Sequence, residues 1–282
     1  MSIKIVTDST CYIPKEYLEK YDISVVSLNV LLNNQSYREL DLTNESFYKQ
    51  MDASPEIPTS SQPVPSEMYS AFEKIVKNNN SVVGIFLSSK MSGTFSSAHL
   101  VKDMILEKYP SAEIELIDST TNCMQMGYIA IECAKAAIDG KNIDEIKSVA
   151  NYILQNSRFL FTPNTLDYLK KGGRIGGAAA LLGSILQIKP ILTVSNGEAS
   201  VFSKVRTRKK AVDYIINSFL KDIDGKTLGD VAVHHINCYE EGLEIAKRLE
   251  SIVNKKVIVQ SIGPVIGLHV GPGSVGIAYF TK

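Results

Sequence analysis

The first half of the chain alternates short apolar runs with helix-like segments, and this alternation constrains the fold more than any other feature. The apolar runs lie at 3–7, 82–87 and 114–117. Strands separated by helical patterns of about 10–15 residues are typical of a mostly parallel, doubly wound sheet. Ligands of such sheets bind beyond the carboxyl ends of the strands. We therefore expect Asp8, the turn at 88–94 and Asp118 to share one edge.

The second half has a different pattern, which begins near residue 157 and predicts an α+β unit. Asn196-Gly197 separates two β-like runs, as in a tight hairpin. A chain of 282 residues is long enough for two cores. We predict an α/β domain with a mostly parallel sheet at 1–157 and an α+β domain with antiparallel pairing at 158–282.

The overall composition excludes several functional classes. Thirty Lys and Arg balance thirty Asp and Glu, so nothing global indicates nucleic acid or an anionic membrane as partner. The beginning of the sequence lacks the pattern of a signal peptide. The most apolar stretch, 175–186, is too short to cross a bilayer. We expect a cytoplasmic protein with no integral membrane segment.

The four cysteines predict neither a metal site nor a disulfide. Cys11, Cys123, Cys133 and Cys238 have no CxxC spacing, and no histidine lies at ligand spacing from any of them. We expect four buried thiols in a reducing compartment.

Residues 88–98 form a hydroxyl-rich turn between an apolar run and a helix pattern. Free N–H groups at a helix start, together with short hydroxyl side chains, favour an anion. Ser92 or Thr94 is the expected helix cap, and Gly93 allows a ligand to approach the backbone. An ordinary capped turn is the alternative interpretation.

The segment 53–66 contains four prolines, which forbid a regular helix or a central strand and stiffen the loop. A helix pattern resumes at 67, which indicates that the loop interrupts one domain. A linker is the alternative interpretation.

Two later segments are rich in cations. Residues 170–177 combine three cations with four glycines but lack the ending of a P-loop. The helix that starts near 207 is basic, which opposes the helix dipole unless an anion or a partner lies nearby. A solvated face is the alternative. Between these segments, 178–186 is apolar on nearly every helical face, which favours burial or contact with an apolar ligand.

No nucleophile and base form a recognisable pair. Ser92 is not in a nucleophile elbow, and His234 and His235 are neighbours on a strand, so only one can face a given site. His269 lies among glycines that allow close backbone approach to a ligand, although a structural histidine is the alternative. The remaining neutral hydroxyl donors suit a small carboxylate better than a polyphosphate; they are Ser60, Ser61, Ser92 and Thr94.

Six short motifs are distributed along essentially the whole chain. They are Asp8-Ser9-Thr10, Ser60-Ser61-Gln62-Pro63, Leu87-Ser88-Ser89-x-x-Ser92-Gly93-Thr94, Asp118-Ser119, Lys171-Gly172-Gly173-Arg174 and His269-Val270-Gly271-Pro272-Gly273. In this order the motifs resemble those of the DegV family, the fatty-acid-binding subunits that work with a bacterial fatty acid kinase. The resemblance implies an EDD-like first domain and an acyl chain buried between or within the two domains.

The resemblance also implies roles for individual residues. Contacts with the fatty acid carboxylate are expected from Ser60, Ser61, Ser92, Gly93, Thr94 and His269. Docking of the kinase and stabilisation of the phosphate are expected from Arg174 and Arg206. We expect the acyl pocket to involve Phe161, Leu181, Ile185 and Ile188. The family has threonine where this chain has Ser60, so Thr59 in a shifted register is an alternative donor.

The resulting hypothesis is a lipid carrier without a cofactor or metal, and not an enzyme by itself. It binds a long-chain fatty acid in a buried apolar tunnel, with serine hydroxyls on the carboxylate at the mouth. It then presents the acid to a fatty acid kinase, which forms an acyl phosphate. The alternative is a phosphocarrier or kinase-like enzyme of the related sugar or glycerone type that uses His269 or His235, although no aspartate cluster for magnesium is evident. A transcriptional regulator would need a basic recognition helix.

Overall fold

The computed structural model describes residues 2–54, 56–182 and 188–282. The strands in chain order are β1 Ile3–Asp8, β2 Ser24–Val26, β3 Asn29–Leu32, β4 Gln35–Arg38, β5 Thr59–Ser61, β6 Ser81–Phe86, β7 Ile114–Asp118, β8 Ser157–Thr162, β9 Lys189–Ser195, β10 Glu198–Val205, β11 Leu228–His235, β12 Ile258–Ser261 and β13 Val275–Thr281. The α-helices are α1 Lys15–Lys20, α2 Asn44–Ala53, α3 Pro65–Val76, α4 Thr94–Lys108, α5 Cys123–Ile138, α6 Ile143–Gln155, α7 Asp167–Lys171, α8 Arg208–Ile223, α9 Tyr239–Val253 and α10 Pro264–Val270. Short 3₁₀ segments lie at Ser9–Cys11, Glu39–Asp41 and Gly176–Leu181.

The first sheet is parallel and has the strand order β2-β1-β6-β7. All six residues of β6 are buried, as expected for a central strand that helices cover on both faces. The α/β fold predicted for the first half is therefore confirmed.

The β-like stretch 24–32 does not form one strand, because the structure divides it between two sheets. β2 belongs to the parallel sheet, whereas β3 pairs with β4 and β5 in a separate antiparallel sheet. The backbone of Leu28 makes its hydrogen bonds outside both sheets. Its N–H donates to Ser9 Oγ at 3.0 Å, and its carbonyl accepts the N–H of Glu39 at 2.8 Å. These bonds interrupt the ladder.

Three residues of the proline-rich loop form β5, which the sequence did not predict. Among the described strands β5 pairs with β3 alone, and it lies at the edge of the order β4-β3-β5. An edge position agrees with the rule that prolines exclude a central strand. The pairing places Ser60 opposite Val30.

The second half forms a six-stranded sheet of order β10-β9-β8-β13-β11-β12. Its pairs are antiparallel except for β11 with β12, so the predicted α+β fold is confirmed. Asn196 and Gly197 have φ values of 51° and 84°, the left-handed conformation that a two-residue hairpin turn requires.

The glycine-rich segment around His269 is a helix and not an open loop. α10 begins at Pro264, in the first-turn position that suits proline, and all seven of its residues are buried. Gly267 allows close packing, because a Cβ at this position would overlap the Tyr48 hydroxyl. His269 therefore projects from a packed helix, which restricts its orientation more than the sequence suggested.

The main apolar core is continuous between the two halves of the chain. It includes Ile5 and Val30 from the first half and Phe161 and Phe280 from the second. The domain boundary at 157 stays a prediction. Within the described ranges, no helix is long and apolar enough to cross a membrane.

The four cysteines are free thiols, as predicted, but they are not all buried. Cys11, Cys123 and Cys133 are buried, and Cys238 is only partly so. Burial raises the pKa of the Cys133 thiol to about 12, so this side chain stays protonated and unreactive at neutral pH.

Candidate functional site

The structure brings Ser60 and His269 together from opposite ends of the chain. Ser60 Oγ on β5 lies 2.8 Å from His269 Nε2 on α10. Burial, with a smaller contribution from the charge of Arg174, lowers the pKa of His269 to about 4. The imidazole is therefore neutral at physiological pH, and either atom of the pair can donate this hydrogen bond. Because one polar hydrogen of this uncharged pair forms the bond between them, the other stays available for a carboxylate.

Arg174 lies beside this pair, just after α7. Its Nη1 donates to the carbonyl of Gly172 at 2.7 Å, and its Nε donates to the carbonyl of Met91 at 3.2 Å. Gly172 is packed against the imidazole, because a Cβ there would overlap His269 Nδ1. The Lys-Gly-Gly-Arg motif thus lets the end of α7 approach His269 closely and holds a guanidinium next to it.

A surface cleft of about 420 Å³ opens over these groups. Its lining consists of residues from the proline-rich loop and the end of α7, together with the histidine: Glu56, Ile57, Pro58, Thr59, Ser60, Lys171, Gly172, Arg174 and His269. Neighbouring side chains on a strand point to opposite faces. Only Ser60 of the two candidate donors bonds to His269, which favours Ser60 over Thr59 as the donor.

A second cavity of about 50 Å³ lies behind the cleft and shares Arg174 and His269 with it. Most of its lining is apolar and includes Phe159, Phe161, Leu169, Ile262, Ile266 and Val270. Two polar side chains from elsewhere, Asn122 and Ser274, also line it. A polar cleft and an apolar cavity therefore meet at His269.

The predicted acyl-pocket residues differ in their positions. Phe161 lines the apolar cavity. Leu181 and Ile188 pack in the same core as Phe161 but are not part of the cavity wall. Ile185 lies outside the described residues.

The turn at 88–94 lies next to the cleft but is not directly joined to the Ser60–His269 pair. Gly93, and neither Ser92 nor Thr94, is the N-cap residue of α4, which corrects the predicted cap. The hydroxyls of Ser92 and Thr94 lie 2.9 Å apart, and Ser92 Oγ also accepts the N–H of Thr94 at 3.3 Å. The turn meets the proline-rich loop through Gln62, whose amide oxygen would overlap a Cβ at Gly93.

Asp8 and Asp118 lie at the same sheet edge as this turn, as predicted. Asp8 Oδ2 accepts the N–H of Leu87 at 2.8 Å, and Asp118 Oδ1 accepts the N–H of Ser89 at 3.2 Å. Burial raises the pKa of Asp8 to about 6. Both carboxyl groups therefore hold the backbone where β6 runs into the turn, which is a structural role.

The remaining predicted site residues lie at the surface. Ser61 and Arg206 are exposed. Within 2–54, 56–182 and 188–282, Arg206 forms no ion pair, whereas Arg208 is held by Glu241 at 2.8 Å. Arg208 also donates to the carbonyls of Thr162 and Gly273. The basic helix start is thus partly neutralised inside the protein.

His234 and His235 have structural roles. His234 Nε2 accepts the N–H of Met124 at 3.1 Å, and burial lowers the pKa of this imidazole to about 4. His235 Nδ1 accepts the N–H of Cys238 at 3.4 Å, and its side chain is also buried. Neither is placed to accept a phosphoryl group from solvent.

Glu39 is a buried residue near the site that the sequence did not reveal. Its carboxylate accepts hydrogen bonds from the Ser9 hydroxyl, the Tyr12 hydroxyl at 3.0 Å and the N–H of Val265 at 2.9 Å. Burial raises the pKa of Glu39 to about 7. No local pattern distinguishes this glutamate from an exposed one, because its partners come from the 3₁₀ segment Ser9–Cys11, from Tyr12 directly after it and from α10.

Comparisons with known proteins identify the family and the fold of this chain. The sequence model described as "Uncharacterised protein, DegV family" matches residues 2–282. A DegV domain-containing protein of Clostridium acetobutylicum is 49% identical over 282 residues, which cover 100% of this chain and 99% of the relative. A stearic-acid-binding protein of Eubacterium ventriosum has a similar structure, with a TM-score of 0.91, 31% identity and coverage of 99% and 98%. DegV of Bacillus subtilis, described as a fatty acid binding protein, has a TM-score of 0.89, 35% identity and full coverage of both chains.

Proposed function

This chain belongs to the DegV family, and we propose that it binds a long-chain fatty acid at the junction of the cleft and the apolar cavity. The observation that carries the proposal is that both spaces share His269 and Arg174. The polar cleft suits the anionic end of an amphiphile, and the apolar cavity suits its apolar end. Two proteins of similar structure are themselves described as fatty acid binding.

The carboxylate would lie in the cleft, against Ser60 and His269. The low pKa of His269 keeps the imidazole neutral. One polar hydrogen of the pair forms the Ser60–His269 bond, and the other can donate to the carboxylate without forming a buried ion pair. Arg174 adds a positive charge at the edge of the same cleft. We assign secondary contacts with the carboxylate to Ser61, Ser92, Gly93 and Thr94. Gln62, which follows Ser61, packs against Gly93 and so brings the two segments together beside the cleft.

The acyl chain would enter the apolar cavity past Phe161. Each buried methylene contributes about 0.8 kcal/mol, so affinity would come mainly from chain burial. A volume of about 50 Å³ is too small for a long acyl chain, so the lining side chains must move apart on binding. Opening toward Leu181 and Ile188 would extend the cavity within the same apolar core. Ile185 stays a prediction from the sequence.

The bound acid would then be presented to a separate kinase subunit. A carboxylate oxygen of the fatty acid attacks the γ-phosphorus of ATP. The bond between this phosphorus and the oxygen that bridges it to the β-phosphate breaks, which gives acyl phosphate and ADP. Arg174 and the exposed Arg206 would neutralise the added charge and contact the kinase. In this scheme the chain is a carrier that needs no cofactor of its own.

Organic extraction of the purified protein, followed by mass spectrometry, tests the proposal. We expect about one long-chain fatty acid per chain, and native mass spectrometry should give the same stoichiometry. Delipidated protein should rebind palmitate but not a neutral alkane of equal length, since the alkane lacks the carboxylate. Absence of lipid from the extract, together with failure to rebind palmitate, would exclude the function.

A further inference from the structure

Asn122 lines the same apolar cavity as His269 and has an unpaired amide oxygen. The residue is only 7% exposed, and within the described part of the chain Oδ1 is buried without a hydrogen-bond partner. Its Nδ2 donates to Met91 Sδ at 3.2 Å. Thioether sulfur is a weak acceptor, so both ends of this amide are poorly satisfied.

The position of Asn122 in the fold does not explain this amide. Asn122 immediately precedes α5, where an asparagine side chain commonly accepts a hydrogen bond from the first turn. Here the side chain makes no such bond, and His234 Nε2 accepts the N–H of Met124 instead. The helix start is therefore capped without the amide, while the buried oxygen retains its desolvation cost.

The other polar groups of the cavity wall are mostly satisfied within the protein. Ser274 Oγ donates to the carbonyl of Gly271 at 2.7 Å. Arg174 donates to two carbonyls, and His269 Nε2 is bonded to Ser60. His269 Nδ1 is also unpaired, but it belongs to the carboxylate end already described. Among the described residues of this wall, Asn122 is therefore the polar side chain outside the Ser60–His269 pair that has a free acceptor.

We propose that Asn122 is a specificity-determining residue that recognises a hydroxyl group on the bound acyl chain. The inference rests on the proposed function. A hydroxyl can donate a hydrogen bond to Oδ1, whereas a methylene group cannot. Asn122 Nδ2 contacts Met91 Sδ, and the Met91 carbonyl accepts a hydrogen bond from Arg174 Nε, so a hydroxyl bound to Asn122 would lie near the carboxylate. The matching ligands are α- or β-hydroxy fatty acids.

Competition binding on delipidated protein tests this inference. Each competitor displaces the same fluorescent fatty acid. The competitors are palmitate, each enantiomer of its α- and β-hydroxy derivatives, and palmitate hydroxylated at the far end of the chain. We expect at least one α- or β-hydroxy acid to bind about tenfold more tightly than palmitate, because it satisfies a buried acceptor. The terminally hydroxylated acid should bind more weakly than palmitate. In Asn122→Leu the preference for the hydroxy acid should disappear.

Ser274→Ala is the matched control, because it removes a cavity hydroxyl that is already bonded to a carbonyl. Its ratio of hydroxy-acid to palmitate affinity should equal that of the native protein. Palmitate binding without preference for any α- or β-hydroxy acid would overturn the inference and leave the proposed function intact. The same ratio in Asn122→Leu would also overturn it. Failure of every acid to bind would overturn both this inference and the proposed function. If a variant does not fold, the binding of palmitate and of the hydroxy acids to the native protein still tests both.

Discussion

The Glu39 carboxylate accepts the backbone N–H of Val265 at 2.9 Å, which joins the first half of the chain to the helix that carries His269. Tyr12 reinforces this connection, since its hydroxyl donates to Glu39 and accepts the N–H of Ile266. The fatty acid site that we propose at the other end of α10 therefore depends on a buried carboxylate that does not face the cleft.

Replacement of Glu39 by Gln should change how stability depends on pH. Burial raises the pKa of Glu39 from 4.5 to about 7, so the folded state favours the protonated acid. Its contribution to the free energy of unfolding is complete below about pH 4.5 and is lost as the pH rises through 7. The loss is on the order of 3 kcal/mol. Glu39→Gln should flatten the pH dependence of the free energy of unfolding over this range, as measured by urea denaturation.

Asp8 provides an internal reference for that experiment. Its pKa is raised by burial from 3.8 to about 6, so its contribution has the same sign but is lost at lower pH. It remains in the Glu39→Gln variant, and some pH dependence below 6 should therefore persist. An unchanged slope between pH 6 and 7 would show that Glu39 does not titrate as its burial implies.

Replacement of Ser60 by Ala should weaken fatty acid binding by about fivefold, the loss of one hydrogen bond of about 1 kcal/mol. Thr59→Ala should have little effect, because only Ser60 is bonded to His269. Competition binding against a fluorescent fatty acid compares the two variants. A larger loss in Thr59→Ala would favour the shifted register instead.

The ring of His269 should remain neutral throughout the physiological range. Burial lowers its pKa from 6.5 to about 4, so its contribution to stability is present above 6.5 and is lost as the pH falls through 4. NMR chemical shifts of the ligand-free protein should show no titration of His269 above about pH 5.5. A midpoint near 6.5 would mean that the imidazole is open to solvent.

Replacement of Arg206 by Ala should leave fatty acid affinity unchanged. It should reduce several-fold the phosphorylation by the kinase subunit that we propose as the partner. Arg206 is exposed and does not line the cleft, so we expect it to act on the proposed partner or on the added phosphate. Lys209→Ala removes another exposed cation of the same segment and is the matched control. Equal loss in both variants would indicate a general charge effect, and loss of lipid binding in Arg206→Ala would contradict this separation of roles.

The sequence predicted the parts of the fold that depend on local patterns. The apolar runs at 3–7 and 82–87 became neighbouring parallel strands, because buried strands need continuous apolar side chains. Asn196-Gly197 became a hairpin, because few other residue pairs adopt two successive positive φ angles. The six motifs were likewise enough to identify the family, since their order along the chain can be read without the folded structure.

Only the tertiary structure decided which side chains meet. Ser60 and His269 lie 209 positions apart, and their contact depends on an edge strand and a buried helix that the proline and glycine patterns concealed. The burial of Glu39 and the unpaired oxygen of Asn122 follow from packing between distant elements, which no local periodicity encodes. The hydroxyl-rich turn at 88–94 was visible in the sequence, but its position beside the cleft, with Gly93 against Gln62, required the fold. Periodicity and turn chemistry thus determined the elements of this protein, and long-range packing determined the candidate site.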